Sequence, residues 1–303
     1  MKIAHISDLH FDRQYKMNNI KKVDTFLNHI SSLEIDHLVI TGDISHNVNK
    51  FDYYILKDLL KKYNLLQSEK TSLVIGNHDI FGGVITAEDV IDFPNRCKEI
   101  NYEEKILEFF EIFSELFDSA IFVGENNSFP YVKNFNNFVF AGLNSNARYS
   151  LIKNLFASNG KVYKEQVADL EILLNKEEVK QKEKIVLIHH HFSKFHRDLL
   201  NKKNPMWDKV EKSTMKLRGK KKLLDLFKRN NVRLVLHGHV HQMSDYKREG
   251  IMFCNAGSSI DNYDNEKIQF NLINIDETNI SRELCEVEHH YEEQKIEVDS
   301  LLV

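Results

Sequence analysis

"TSLVIGNHD", residues 71–79, is an apolar run that breaks at Gly76 and carries Asn77, His78 and Asp79 just beyond the break. Five residues, the last three apolar, closed by a turn-forming glycine, read as a short buried strand rather than a helix. Two stretches of the same kind precede it, "KIAHIS" (2–7) and "HLVITGD" (37–43). Amphipathic helical stretches near 18–32 and 56–66 separate the three. The order βαβαβ predicts an α/β fold, a sheet with layered helices.

The alternation continues downstream. Residues 86–117 are helical by the apolar spacing of "YEEKILEFFEIFSELF", and strands are predicted at 120–123, 129–133 and 137–143. A helix near 163–179, the strand 184–189, a helix near 220–230 and the strand "VRLVLHGH" (232–239) follow. The tail differs: 251–258, 269–276 and 280–290 read as successive antiparallel strands that complete a second sheet. "DETN" (276–279) supplies a hairpin turn between the last two. The whole chain, 1–303, is predicted as one domain.

With 303 residues, 42% of them hydrophobic, the chain can bury a sizeable core. No apolar run approaches the roughly 20 residues needed to span a bilayer. Cys97, Cys254 and Cys285 are scattered and odd in number, so reduced thiols and a cytoplasmic location are expected. A net charge of −4 excludes no class of partner.

Position matters more than composition. Asp8 and His10 follow the first strand, Asp43 the second, Asn77 and His78 the third. The triplet His189–His190–His191 follows the strand ending at 188, and His239 and His241 follow 232–237. Ligands in layered α/β folds bind beyond the carboxyl ends of strands, so five strands deliver donors to one sheet edge. Carboxylates, an amide and several imidazoles suit Mn, Fe or Zn, and their number exceeds what one tetrahedral ion takes. Two metal ions sharing a bridging carboxylate are therefore expected.

"DLH" (8–10), "GD" (42–43), "GNHD" (76–79), the late-strand histidine and "GHVH" (238–241), in that order, resemble the calcineurin-like metallophosphoesterases. "GLNS" (142–145) and "NAGSS" (255–259) also look like segments of that family. The resemblance implies a four-layer α/β/β/α sandwich, mixed sheets flanked by helices, and the compact cyclic-nucleotide phosphodiesterase-like group looks closest. It further implies that Asp8, His10 and His241 hold one metal, Asn77, His239 and the late-strand histidine the other, and that Asp43 bridges. A metal-bound hydroxide would attack a phosphodiester or phosphomonoester, possible nucleotides among them, with His78 as the residue that contacts the phosphate and protonates the leaving group. Asp79 would orient His78, and His46 in "GDISHN" would stand just outside the ligands or touch substrate. Counting back from Phe192, where many family members carry proline, selects His190 as the ligand, whereas counting forward from the strand selects His189. His190 is adopted, His189 is the alternate, and His191 should face substrate or solvent.

The plainer readings are clear. An isolated strand-end histidine is usually structural, and Asp8 or Asp43 alone could cap a helix; the five motifs together favour ligation. His5, His29 and His37 are expected to be structural, and His289 and His290 solvent-facing. Between Lys194 and Lys222 eleven Lys or Arg face three acidic residues, with His196 and Trp207 among them. That stretch supports an alternative, a metal-dependent DNA or RNA nuclease of the same superfamily, but it lacks a periodic aromatic platform and reads first as a solvated surface with its lysines outward. A non-catalytic scaffold is the second alternative, opposed by a candidate ligand at every position.

Overall fold

The structure is a computed structural model that describes residues 1–84, 86–125, 128–193, 215–257, 259–260 and 266–289. Chain order runs β1 (Lys2–Ile6), α1 (Met17–Ser31), β2 (His37–Ile40), α2 (Lys50–Lys62), β3 (Thr71–Leu73) and α3 (Asn77–Phe81). Then come α4 (Ala87–Glu99), α5 (Tyr102–Ile112), a 3₁₀ turn (Ser114–Phe117), β4 (Ala120–Ile121), β5 (Tyr131–Phe135), β6 (Phe138–Leu143) and β7 (Gly160–Lys161). The second half holds α6 (Lys164–Leu174), α7 (Glu177–Lys180), β8 (Glu183–Ile188), β9 (Leu217–Arg218), α8 (Lys220–Arg229) and β10 (Val232–His237). It closes with β11 (Ser244–Arg248), β12 (Ile251–Asn255), β13 (Lys267–Ile275) and β14 (Ile280–Glu288).

Two large sheets result, with strand orders β14-β13-β1-β2-β3 and β11-β12-β10-β8-β6-β5-β4, and β7 and β9 form a separate two-stranded sheet. β1, β2 and β3 run parallel, as do β6, β8, β10 and β12, so the chemistry-bearing ends of each set point one way. Pleat parity separates the two faces of the larger sheet. Ile185 and Leu187 of β8, Leu234 and Leu236 of β10 and Phe140 of β6 join the core shared with the smaller sheet. Val186, Ile188, Val235 and Val139 face the opposite way, toward Leu170 and Leu173 of α6 and Leu223 and Phe227 of α8. On the other side, α1 lays Val23, Phe26, Leu27 and Ile30 on the smaller sheet, the i, i+3, i+4, i+7 stripe of an amphipathic helix. Each such side chain contributes about 1.5–3 kcal/mol by leaving water. The architecture is the four-layer α/β/β/α sandwich.

Several elements differ from expectation. The tail strands divide between the sheets: β12 lies parallel to β10, while β13 pairs antiparallel with β1 and only then with β14. The smaller sheet, not the larger, is completed by the chain's end. β11, "SDYKR", has no apolar run to announce it because it is an edge strand with partly exposed side chains. α2 begins six residues earlier than its apolar pattern, at the Asn49 cap, whose side chain accepts from the Phe51 N–H at 3.1 Å. His289 is buried rather than solvent-facing, with Thr25 Oγ1 at 3.0 Å and Asn18 Oδ1 at 3.1 Å from its ring. His290, Ser258, His196, Trp207 and the basic stretch up to residue 214 lie outside the described residues. Of its remainder, Lys221 and Lys222 are outward, but Lys220 turns in and donates to the Ser193 carbonyl at 2.9 Å.

Candidate metal centre

The parallel strands end where five loops meet. Asp8 N–H donates to the Gly42 carbonyl at 3.0 Å and His10 N–H to the Asp43 carbonyl at 2.9 Å, which ties the first loop to the second. His78 N–H donates to Asp43 Oδ1 at 2.8 Å, and His239 N–H to Asp8 Oδ2 at 3.1 Å. Close backbone approach explains two glycines. A Cβ on Gly76 would lie 2.1 Å from Asp43 Oδ1, and one on Gly238 would lie 2.5 Å from Asp8 Oδ2.

Asp8, His10, Asp43 and His239 all hold positive φ, at 57°, 47°, 52° and 71°. A non-glycine residue in that region costs on the order of 1 kcal/mol, and such outliers persist where their surroundings over-determine them. Here the cross-loop hydrogen bonds do so. Neither aspartate caps a helix: α1 and α2 begin well downstream, and both carboxylates face the convergence point.

Two groups of donors form there. Ligand atoms of Asp8, His10 and His241 lie within 4.8 Å of one another, as do those of Asp43, His189 and His239. His10 Nε2 is 3.9 Å from Asp8 Oδ1 and 4.0 Å from Asp43 Oδ2, so Asp43 reaches both groups. His189 Nε2 stands 3.3 Å from Asp43 Oδ2, 3.1 Å from Asn77 Oδ1 and 3.2 Å from His239 Nδ1. Asp8, His10, Asp43, Asn77, His189 and His239 are buried, while the His241 side chain is 52% exposed and marks the opening.

The histidine that joins this group is His189, not His190. Residues 185, 187 and 189 share the inter-sheet face of β8 and its extension, where His189 Nδ1–H donates to the Thr41 carbonyl at 2.7 Å. His190 lies on the opposite parity; its Nδ1 is 2.8 Å from Ser145 Oγ, and Nε2 is 3.3 Å from the Ser158 carbonyl. His191 is buried rather than facing solvent, its ring centroid 6.4 Å from that of His239. Phe192 closes the segment against Phe227 and Phe253, its N–H donating to Tyr246 Oη of β11 at 3.0 Å.

Asp79 belongs to neither donor group, and its carboxyl turns to backbone amides rather than to the His78 ring. Its carboxylate accepts from the N–H groups of Ile44 and Ser45, both at 2.9 Å, and of Gly76 at 2.8 Å. It thereby clamps the Asp43 loop to the "GNHD" loop. His46 sits at the site, its ring centroid 5.4 Å from that of His10 and 5.0 Å from that of His78. Its carbonyl lies 3.4 Å from His78 Nδ1. His5 and His37 are structural, bonded to the hydroxyls of Thr41 and Ser72 at 3.0 and 2.9 Å.

Charge and burial fit a cation. Burial opposes ionisation of Asp43, but the His189 and His78 imidazoles outweigh it and hold this carboxyl well below its ordinary pKa. Burial pulls His189 down, yet Asp43 overrides it and carries the imidazole up to about 9. Thr41 fixes the Nδ1–H tautomer, so a neutral His189 would aim a lone pair at two oxygens and another imidazole nitrogen. Such a cluster of acceptors needs a proton or a metal ion. Among the described residues, neither ring nitrogen of His10, nor Nε2 of His239, has a hydrogen-bond partner. These orphaned, buried donor atoms fit two first-row ions. Burial first, and His241 with it, hold His78 below the ordinary histidine pKa.

Thr41, Ser145 and Tyr246 are residues that the motifs did not single out, although "GLNS" contains Ser145 and Thr41 immediately precedes "GD". No described helix is long and apolar enough to cross a membrane.

A family model described as calcineurin-like phosphoesterase matches residues 1–243. The chain is similar in structure to a dimetal phosphatase from Danio rerio, with 13% identity, 96% of this chain and 99% of that one covered, and a TM-score of 0.58. A purple acid phosphatase from yellow lupin seeds gives 13% identity, 94% and 51% coverage, and a TM-score of 0.55. At this identity the likenesses show a shared fold. Comparison with curated protein sequences gives no match.

Proposed function

The chain belongs to the calcineurin-like phosphoesterase family, and from that premise we propose that it hydrolyses a phosphodiester at a two-metal centre beyond the parallel strands. Metal-dependent phosphoester hydrolysis is the family's chemistry; the preference for a diester, and for a nucleotide among diesters, is our reading. The observation that carries it is the convergence of Asp43, Asn77 and His239 on His189 Nε2 at 3.1–3.3 Å.

Asp8, His10 and His241 would hold one ion, Asn77, His189 and His239 the other, with Asp43 between them. Mn, Fe and Zn all suit this mixture of oxygen and imidazole donors. When bound, the ions supply Lewis acidity that polarises the phosphoryl group and acidifies a water. The chain's own residues do the positioning. Thr41 orients His189, Asp79 clamps the two loops that carry Asp43 and Asn77, and the His78 amide holds one oxygen of Asp43. His78 reaches the opening beside His10, with ring centroids 4.6 Å apart. It delivers a proton to the leaving-group oxygen once the substrate's negative charge has raised its depressed pKa. Three cysteines without a disulfide among them favour the cytoplasm.

A substrate panel tests the reading. The Mn²⁺-loaded protein should hydrolyse bis-p-nitrophenyl phosphate and one or more cyclic nucleotides or small diesters, and leave long single- and double-stranded DNA and RNA intact. Cleavage of long nucleic acid with steep salt dependence would favour the nuclease instead. Unaltered function in Asp43→Asn would favour a scaffold.

A further inference from the structure

We propose that His10, His46 and His78 form an imidazole-only pocket that takes Zn²⁺ beside the two-metal centre. One ring nitrogen from each lies within 4.8 Å of the others, close enough for small side-chain rotations to bring all three onto one ion. His46 is the informative member. It is 7% exposed, and among the described residues neither of its ring nitrogens has a hydrogen-bond partner. A buried imidazole left so is costly unless something fills the position.

The fold holds His46 there from both sides of its backbone. Its N–H donates to the Phe11 carbonyl at 2.9 Å, and its carbonyl accepts from the Gly83 N–H at 2.7 Å. Gly83 lies so close that a Cβ would stand 2.6 Å from His46 Nε2 and 2.7 Å from His78 Cε1. Arg96 fixes that loop by donating to the Gly83 carbonyl at 2.6 Å. The side chains at 46 and 78 are thus seated together against His10, not left to swing into solvent.

Ligand chemistry separates this pocket from its neighbour. Asp8, His10 and His241 include a carboxylate and accept Mn²⁺, whereas three neutral imidazoles favour Zn²⁺ over Mn²⁺. The inference rests on the proposed function in one respect: His10 serves the first ion and His78 the leaving group. Zinc in the pocket engages both residues, so excess Zn²⁺ inhibits the manganese-loaded enzyme.

Crystals loaded with Mn²⁺ and then soaked in Zn²⁺ test this with anomalous data collected on either side of the zinc edge. Zinc density among the three imidazoles is expected, with manganese retained in the group of Asp43, Asn77, His189 and His239. In solution, His46→Gln should need more than about tenfold more zinc for half-inhibition, each protein measured against its own zinc-free rate; tenfold is the floor seen when a mere supporting contact is lost. Zinc density only in place of manganese, or equal zinc sensitivity of the two proteins, overturns the pocket. The wild-type map decides even if the variant does not fold. Absence of manganese from unsoaked crystals would instead sink the two-metal reading itself.

Discussion

His189 Nδ1–H donates to the Thr41 carbonyl at 2.7 Å, and that one bond turns Nε2 onto Asp43 Oδ2, 3.3 Å away. The bond crosses from the larger sheet to the loop beyond β2, so the sandwich itself sets the imidazole's tautomer and aim. His190, its neighbour, is held by Ser145 and serves the scaffold. His189→Ala should therefore lower the bound metal from two equivalents toward one. His190→Gln should keep both ions and lose instead about 1–3 kcal/mol of stability through its unpaired buried contacts. Elemental analysis and denaturant unfolding separate the two; the reverse pattern would restore His190 as the ligand.

His78 is assigned to the leaving group, and leaving groups differ in their need for a proton. Removing a general acid costs typically about 10²–10⁴-fold where the leaving oxygen is a poor one. His78→Ala should show that loss with alkyl diesters and far less with bis-p-nitrophenyl phosphate, whose leaving group departs unprotonated. Equal losses on both substrates would give His78 a binding role alone.

Asp79 accepts three backbone N–H groups, which favour its charged form against the burial and the Asp43 charge that push its pKa up to about 7. Asp79→Asn replaces one acceptor oxygen by a donor that confronts those amides. A loss of about 2–4 kcal/mol is expected from unsatisfied buried groups, with weaker metal binding because the Asp43 and Asn77 loops are no longer clamped. Urea unfolding of the metal-free variant reads the first effect without the second.

Without an ion, Asp43 keeps His189 protonated up to about pH 9. Metal binding must then displace that proton at neutral pH, and affinity should rise with pH until His189 is neutral in the free protein, near 9. Calorimetry of Mn²⁺ binding at pH 7.5 in buffers of different ionisation enthalpy measures the protons released. One or more is expected; none would mean that His189 is already neutral or does not ligate.

Much of this was legible in residue order, and the reasons are local. Strand ends carrying "DLH", "GD", "GNHD" and "GHVH" announce themselves because a buried apolar run stops at a polar donor, often through a glycine. The triplet does not. "KIVLI" is buried on both faces of its sheet, so no alternation of polarity reveals its parity, and only the contacts with Thr41 and Ser145 separate His189 from His190. β11 and the sheet exchange at the tail were equally hidden, since an edge strand carries little apolar signal and pairing across some 270 residues leaves no local trace. Asp79 looked like a partner for the adjacent histidine; its real partners, the amides of residues 44 and 45, are joined to it only by the fold.

Two ions sharing Asp43 are the core of the proposed site. Anomalous difference maps at the manganese edge, from crystals of the Mn²⁺-loaded protein, test it most directly. Two peaks are predicted, one bounded by Asp8, His10 and His241 and the other by Asn77, His189 and His239, with the Asp43 carboxylate between them. A single peak, or a second peak seated against His190, would contradict it.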